Sequence, residues 1–252
     1  MTQPFYFMLN VLIASRLVFT FKDMPIDWKQ CAVMSAVQGA GLLFFQPGAA
    51  QWGLAGLLLA LNVLLLRFES RHTQTNEVRL GMFVLQVVVL SVFFSPRLGL
   101  DFSPGLAQLG ARLQGLTLLF PPAGRVDWPR ANALVLGLLL VTNEANLFIR
   151  SMFKVFSLAP HRQVEAEKYL ITMTDKRELN AGRVIGILER VIIYTFVLQG
   201  QYTAIGFILA AKSFARFKEL DNREFAEYVL IGTLLSALLA MMIALFVGRL
   251  IM

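Results

Sequence analysis

The stretch GRVIGILERVIIYTFVLQGQYTAIGFILAAKSFARFKE, residues 182–219, decides how this chain is read. Two apolar runs flank Gly200-Gln201, and each would be an ordinary membrane helix but for a few ionised side chains. A charge near the bilayer centre costs about 2.5–3.5 kcal/mol on insertion scales, and it persists only when it faces protein or water or is paired. If Gly200-Gln201 turns a tight antiparallel helical hairpin, Glu189 and Lys212 lie at equal distances from the turn. At 1.5 Å rise per residue that distance is about 17 Å, well inside an apolar slab. The two are expected to pair or to share a polar cluster. Arg183 and Arg190 share a helix face, Arg216 lies one turn beyond Lys212, and Gln199 and Gln201 flank the turn. Such a cluster reads in three ways: an ion pair that locks the hairpin, a ring of Glu189, Arg190 or Lys212 lining or gating a pore in an oligomer, or a substrate site.

The whole composition agrees with a membrane setting. Of 252 residues, 57% are apolar and 15% charged, and the mean hydropathy is +0.64. A soluble domain carries about 25% charged residues, so there is too little polar surface here to cover a water-soluble globule. The net charge of +7 is better explained by basic cytoplasmic loops than by nucleic-acid binding. A single Cys31 excludes an intramolecular disulfide framework and reads as a small packing residue. No cleavable signal peptide is evident, so the first apolar run is expected to remain as a helix.

A span needs about 20 apolar residues, and eight candidate segments follow. They are 4–21, 30–46, 52–67, 79–95, 127 to about 157, about 175–198, 202–216 and 221 to about 251. Residues 103–120 differ: Ser103-Pro104 supplies an N-cap and a first-turn proline. Leu106, Leu109, Leu113, Leu116 and Phe120 form one stripe opposite Gln108 and Arg112, so this stretch reads as an amphipathic helix in the interface. The expected fold is therefore an all-α polytopic transmembrane bundle of about eight segments plus one interfacial helix. It is read as a single transmembrane domain, 1–252, with four N-terminal segments (1–97), an interfacial part (98–126) and four C-terminal segments (127–252). A polar cytoplasmic loop is expected at about 158–180. Asp175 with Glu178, and Asp221 with Glu224, have capping-box spacing.

Orientation follows from charge. Loops 22–29, 67–79, 150–183 and 212–223 hold 16 of the 23 Lys and Arg, which places these loops in the cytoplasm and both termini outside. The expected location is a bacterial inner membrane, multi-pass, with the lipid bilayer as a partner.

A second polar cluster is Asn143, Glu144 and Asn146 in VTNEANLFIRSMFK. Glu144 is expected to pair with Arg190, Arg183 or Arg16, and Arg150 to snorkel toward headgroups. Asn62 and Gln86 read as interhelical hydrogen-bonding amides. Gly206, Ala210 and Ala211 read as small residues that permit close helix approach. No nucleophile elbow, phosphate loop, H-E-x-x-H or Cys/His pair occurs. His72 and His161 stand alone, so no metal or cofactor is expected and the chain does not read as an enzyme.

The run GRVIGILERVIIYTFVLQGQYTAIGFILAAKSFARF, followed by EFAEYVLIGTLLS, resembles the C-terminal half of a family of uncharacterised bacterial inner-membrane proteins, defined as a domain of unknown function. The likeness is clearest over 182–236 and extends to NEANLFIR at 143–150. It implies that Arg183, Glu189, Arg190, Gln201, Lys212, Ser213 and Arg216 belong to one site. Family members carry His and Asp in the first helix, in a HLLADF-like stretch; this chain has ASRLVFTF there, with Arg16 and no acid.

The leading functional expectation is a homo-oligomeric gated ion channel or pore, a membrane-depolarising effector of the kind used in antiviral defence. Its basic cytoplasmic segment would hold an anionic regulator, a nucleotide or oligonucleotide, through Arg162, Lys168, Lys176 and Arg177. The alternatives are a small-ion or metabolite transporter using Glu144 and Glu189, and a non-catalytic sensor or docking subunit whose 150–183 loop is the contact surface.

Overall fold

A computed structural model gives the fold over residues 3–20, 25–71, 75–105, 127–156, 173–215 and 223–251. It is all-helical among these residues. The helices are α1 (Gln3–Ser15, extended by a 3-10 turn Arg16–Phe19), α2 (Trp28–Leu42), α3 (Ala49–Arg71) and α4 (Thr75–Phe93), then α5 (Trp128–Leu139), α6 (Ala145–Val155), α7 (Met173–Leu198), α8 (Tyr202–Ala215) and α9 (Arg223–Ile251). A π turn, Leu140–Glu144, joins α5 to α6, so Trp128–Val155 runs on as one interrupted helix.

Among the described residues, four helices are long and apolar enough to cross a membrane: Ala49–Ser70, Thr75–Phe93, Trp128–Val155 and Ala226–Ile251. These answer to the segments expected at 52–67, 79–95, 127–157 and 221–251. The other four differ for physical reasons. Gln3–Phe19 and Tyr202–Ala215 are apolar but shorter. α2 has 15 residues. α7 has 26 but carries Arg183, Glu189 and Arg190 in its apolar part.

Two further expectations are corrected. The polar segment at 158–180 is not all loop, because α7 already begins at Met173, which puts Asp175 inside the helix rather than at its cap. The interfacial helix expected at 103–120 lies, from residue 106 on, outside the described residues, as does the Asp221 cap.

The chain divides into two compact units, Met1–Leu136 and Gly137–Met252, where the sequence reading treats it as one domain. In the first unit α1, α2, α3 and α4 pack in a four-helix arrangement. Phe5, Met8, Leu12, Leu42, Phe45, Leu54, Leu58 and Leu90 form its core. An aromatic cluster closes one end, with Phe45 against both Phe94 and Phe102 at 5.3 Å. Main-chain bonds from Gln46 to Asp101 and from Ser103 to Phe44 pin the two loops there. Asn10 of α1 donates to the Asn132 carbonyl oxygen at 2.9 Å, which ties in the start of α5.

In the second unit α7 packs along α9 and against the π turn, and α6 packs on α9. Two glycines set these distances. A Cβ on Gly137 would sit 2.6 Å from Cζ of Tyr194, and one on Gly232 would sit 2.8 Å from Cζ of Phe153. Both contacts are closer than any side chain tolerates, so only glycine lets the aromatic ring lie against the backbone at these two places.

Candidate functional site

α7 ends in a left-handed glycine. Gly200 has φ 71°, its N–H bonds the Val197 carbonyl and the Gln201 N–H bonds the Phe196 carbonyl. This is the Schellman arrangement, which satisfies the last carbonyls of a helix and reverses the chain. α8 then runs back beside α7, and the register places Lys212 Nζ 2.6 Å from Glu189 Oε2. The two side chains are 20% and 15% exposed. Gln201 itself is exposed at the turn, its role there being the main-chain bond. α8 is exposed over most of its length, with Ile205 its one buried residue and Phe207 and Phe214 largely open. Gly206 meets nothing within 4 Å, so the close approach expected of its small residues is not made within the described protein.

Arg190, one residue on from Glu189, points the other way and is 3% exposed. Its Nε donates to the Val141 carbonyl at 2.9 Å, and its Nη1 makes a long 3.5 Å contact with Ser236 Oγ of α9. The π turn explains the first bond. In an α-helix each carbonyl takes the N–H four residues on, and a π bulge loosens that pattern and leaves a carbonyl for another donor. Arg190 thus joins α7, the π turn and α9. On the same turn Asn143 and Glu144 are buried, and Asn143 Nδ2 donates to Glu144 Oε1 at 2.9 Å. Asn146 is half-buried one residue into α6. The expectation that Glu144 would meet Arg190 is corrected: that guanidinium turns to a main-chain carbonyl and a serine. Arg183 is half-buried on α7.

Of the remaining expected residues, Arg162, Lys168 and Arg216 lie outside the described residues, and Lys176 and Arg177 are placed only as part of α7. The anionic-regulator surface is therefore not described by the structure.

The first unit holds polar groups that the sequence reading passed over. Arg79 and Glu69 form a bidentate pair, Nε to Oε1 at 2.8 Å and Nη2 to Oε2 at 3.0 Å, with both side chains at 0% exposure. The Ile26 N–H also donates to Glu69 Oε2, at 2.9 Å. Arg16 donates to the Arg79 carbonyl oxygen at 3.0 Å and lies over the Phe19 and Phe83 rings, while Arg79 covers Phe19 at 4.5 Å. The sequence places Arg79 in a basic loop and offers Arg16 as a partner for Glu144; in the structure both are buried in this clasp. The signal was available. Glu69 and Arg79 stand at equal sequence distances from residue 74, between two apolar runs, as Glu189 and Lys212 stand at equal distances from Gly200-Gln201.

A second buried array is made of neutral groups. Gln38 donates to Ser15 Oγ at 2.9 Å, Asn62 donates to Gln38 Oε1 at 2.8 Å and to Ser35 Oγ at 3.0 Å, and Gln86 donates to Asn62 Oδ1 at 3.0 Å. One continuous chain of hydrogen bonds thus crosses α1, α2, α3 and α4. Asn62 and Gln86 do make the interhelical bonds expected of them, to each other.

No family model, curated protein or solved structure matches the chain.

Proposed function

We propose that the chain is an integral protein of the bacterial inner membrane whose segments cross the bilayer eight times. In this reading copies assemble into a homo-oligomer, and the α7–α8 hairpin lines and gates an ion path through it. The observation that carries the reading is a contrast between two ion pairs. Arg79–Glu69 is sealed at 0% exposure on both sides, whereas Lys212–Glu189 is reachable at 20% and 15%. A sealed pair is a structural clasp. A reachable pair on an apolar hairpin cannot be left to hydrocarbon, so its face must meet water or a second copy. A ring of copies around a hydrated axis supplies both, and the exposed α8 offers the surface for it. Parting Lys212 from Glu189 would then change the charge seen by a passing ion.

A carrier for a small ion is the second reading. The π turn favours it, because it interrupts a 28-residue helix at buried Glu144, and interrupted helices are where transporters place ion sites.

The test is a liposome assay with the purified chain and a potential-sensitive dye. Wild-type protein is expected to dissipate an imposed potential. Lys212→Met or Glu189→Gln should change the rate about tenfold, with partial return in the charge-swapped Glu189→Lys, Lys212→Glu protein. Absence of any dissipation by wild type, constitutive or triggered, removes the pore reading. Saturable uptake that requires a gradient selects the carrier.

A further inference from the structure

We propose that the outer surface of α2, α3 and α4 is a lipid-contact belt about 30 Å tall, with the Gln38, Asn62 and Gln86 array at the bilayer midplane. The proposal rests on the membrane reading above and names what covers this surface: phospholipid acyl chains rather than a second copy. Spacing is the first support. Asn62 bonds both Gln38 and Gln86, so the three lie at one level. Gln51 meets the Leu42 carbonyl as Asn62 meets Gln38, so α2 and α3 run antiparallel. Trp28 precedes Gln38 by ten residues on α2, and Trp52 precedes Asn62 by ten residues on α3. The two indoles therefore stand on opposite sides of the array, each about 15 Å from it. Both are largely exposed. A separation of about 30 Å is the thickness of a hydrocarbon core, and indoles favour the two headgroup zones that bound it.

Composition is the second support. Between Lys29 and Leu42, between Trp52 and Arg67, and between Leu80 and Phe93, every exposed residue is Gly, Ala, Val or Leu. Exposed aromatic and charged side chains gather at the ends: Arg67 and Phe68 toward Trp28, Phe44 and Arg97 toward Trp52. Arg67 stands five residues short of the Trp28 level, about 7 Å, a distance its side chain spans to reach headgroups. An interface between copies would be one patch enriched in aromatic residues, Met and Arg. This belt instead covers three helices, and its large exposed side chains, Val33, Val37, Leu59, Val63, Val84 and Val88 among them, are aliphatic throughout. The interior follows the same depth rule. Neutral amides that bond one another occupy the centre, where hydrocarbon tolerates them. The Glu69–Arg79 clasp lies seven residues further along α3, about 10 Å off-centre toward the Trp28 face.

The chain has three tryptophans, so Trp→Phe substitutions made two at a time leave Trp28 or Trp52 as a lone reporter. A third protein has all three replaced by Phe and carries Val63→Trp, one residue from the array. Each full-length protein is reconstituted in phosphatidylcholine vesicles whose lipids are brominated either just below the headgroup or near the chain end, and quenching of tryptophan emission is measured. Trp28 and Trp52 should each be quenched more by shallow bromine than by deep bromine, and the indole at position 63 more by deep. Val88→Trp, on exposed α4 two residues from Gln86, should report the same depth and decides the matter if Val63→Trp does not fold. An indole at 63 or 88 shielded from both lipids while Trp28 and Trp52 respond means that protein covers the belt, and overturns the proposal. A deep preference at Trp28 or Trp52, or a shallow one at 63 and 88, overturns it as well. No quenching at any position removes the membrane reading along with the belt. Ion flux is not measured, so the predicted quenching in a protein that conducts nothing supports the belt and leaves only the pore reading to fall.

Discussion

Removing the Glu69 carboxylate should unseat the first unit. In Glu69→Ala the Arg79 guanidinium stays buried without the two bonds at 2.8 and 3.0 Å, and the Ile26 N–H, on a residue 5% exposed, loses its 2.9 Å acceptor. Breaking a buried pair by deleting one partner costs about 3–5 kcal/mol, because the remaining charge loses its bidentate carboxylate in a site closed to water. For a chain of this size each kcal/mol moves the unfolding midpoint by about 2–4 °C, so a fall of about 10 °C is expected in detergent. The stringent comparison is the double variant Glu69→Ala, Arg79→Met. It removes the stranded charge and keeps an unbranched side chain over Phe19, while Arg16 retains its bond to a main-chain carbonyl. The double variant should therefore be more stable than Glu69→Ala alone, giving a coupling of about 2 kcal/mol or more. A Glu69→Ala protein within about 1 kcal/mol of wild type, or a double variant as damaged as the sum of the singles, would refute the reasoning.

Gly137→Ala should force Tyr194 off the α5 backbone, with a loss of about 1–3 kcal/mol read by thermal unfolding; a neutral result would mean that Tyr194 moves freely. Asn62→Leu breaks three interhelical bonds at once and should lower stability by about 2 kcal/mol, whereas Ser35→Ala should cost under about 1 kcal/mol; the two are ranked by the same assay. Gly200→Ala places a Cβ on a residue at φ 71° and should cost about 1 kcal/mol, read as faster protease cleavage at the turn, with little effect on the Lys212–Glu189 pair.

Much of the fold was legible because hydrocarbon is a demanding solvent. Long apolar runs at 52–67, 79–95, 127–157 and 221–251 announce helices, since no other structure of an isolated segment satisfies its backbone there. The hairpin register was legible too: a glycine turn and a rise of 1.5 Å per residue suffice to set Glu189 opposite Lys212. What the sequence did not disclose is which polar groups meet when no turn relates them. Arg190 finds Val141 and Ser236, far away in sequence, because a π turn frees a carbonyl and Gly137 lets α7 close on α5. Sequence periodicity contains neither the turn nor the approach. The same holds for the Ser15, Gln38, Asn62 and Gln86 chain, whose members are ordinary amides and a hydroxyl until four helices bring them level. Local spacing and solvent preference thus determined where helices lie and which charges are out of place. Only packing decided which of those charges is sealed, which is reachable, and which turns to a main-chain carbonyl, because such differences depend on the distances between helices rather than along them.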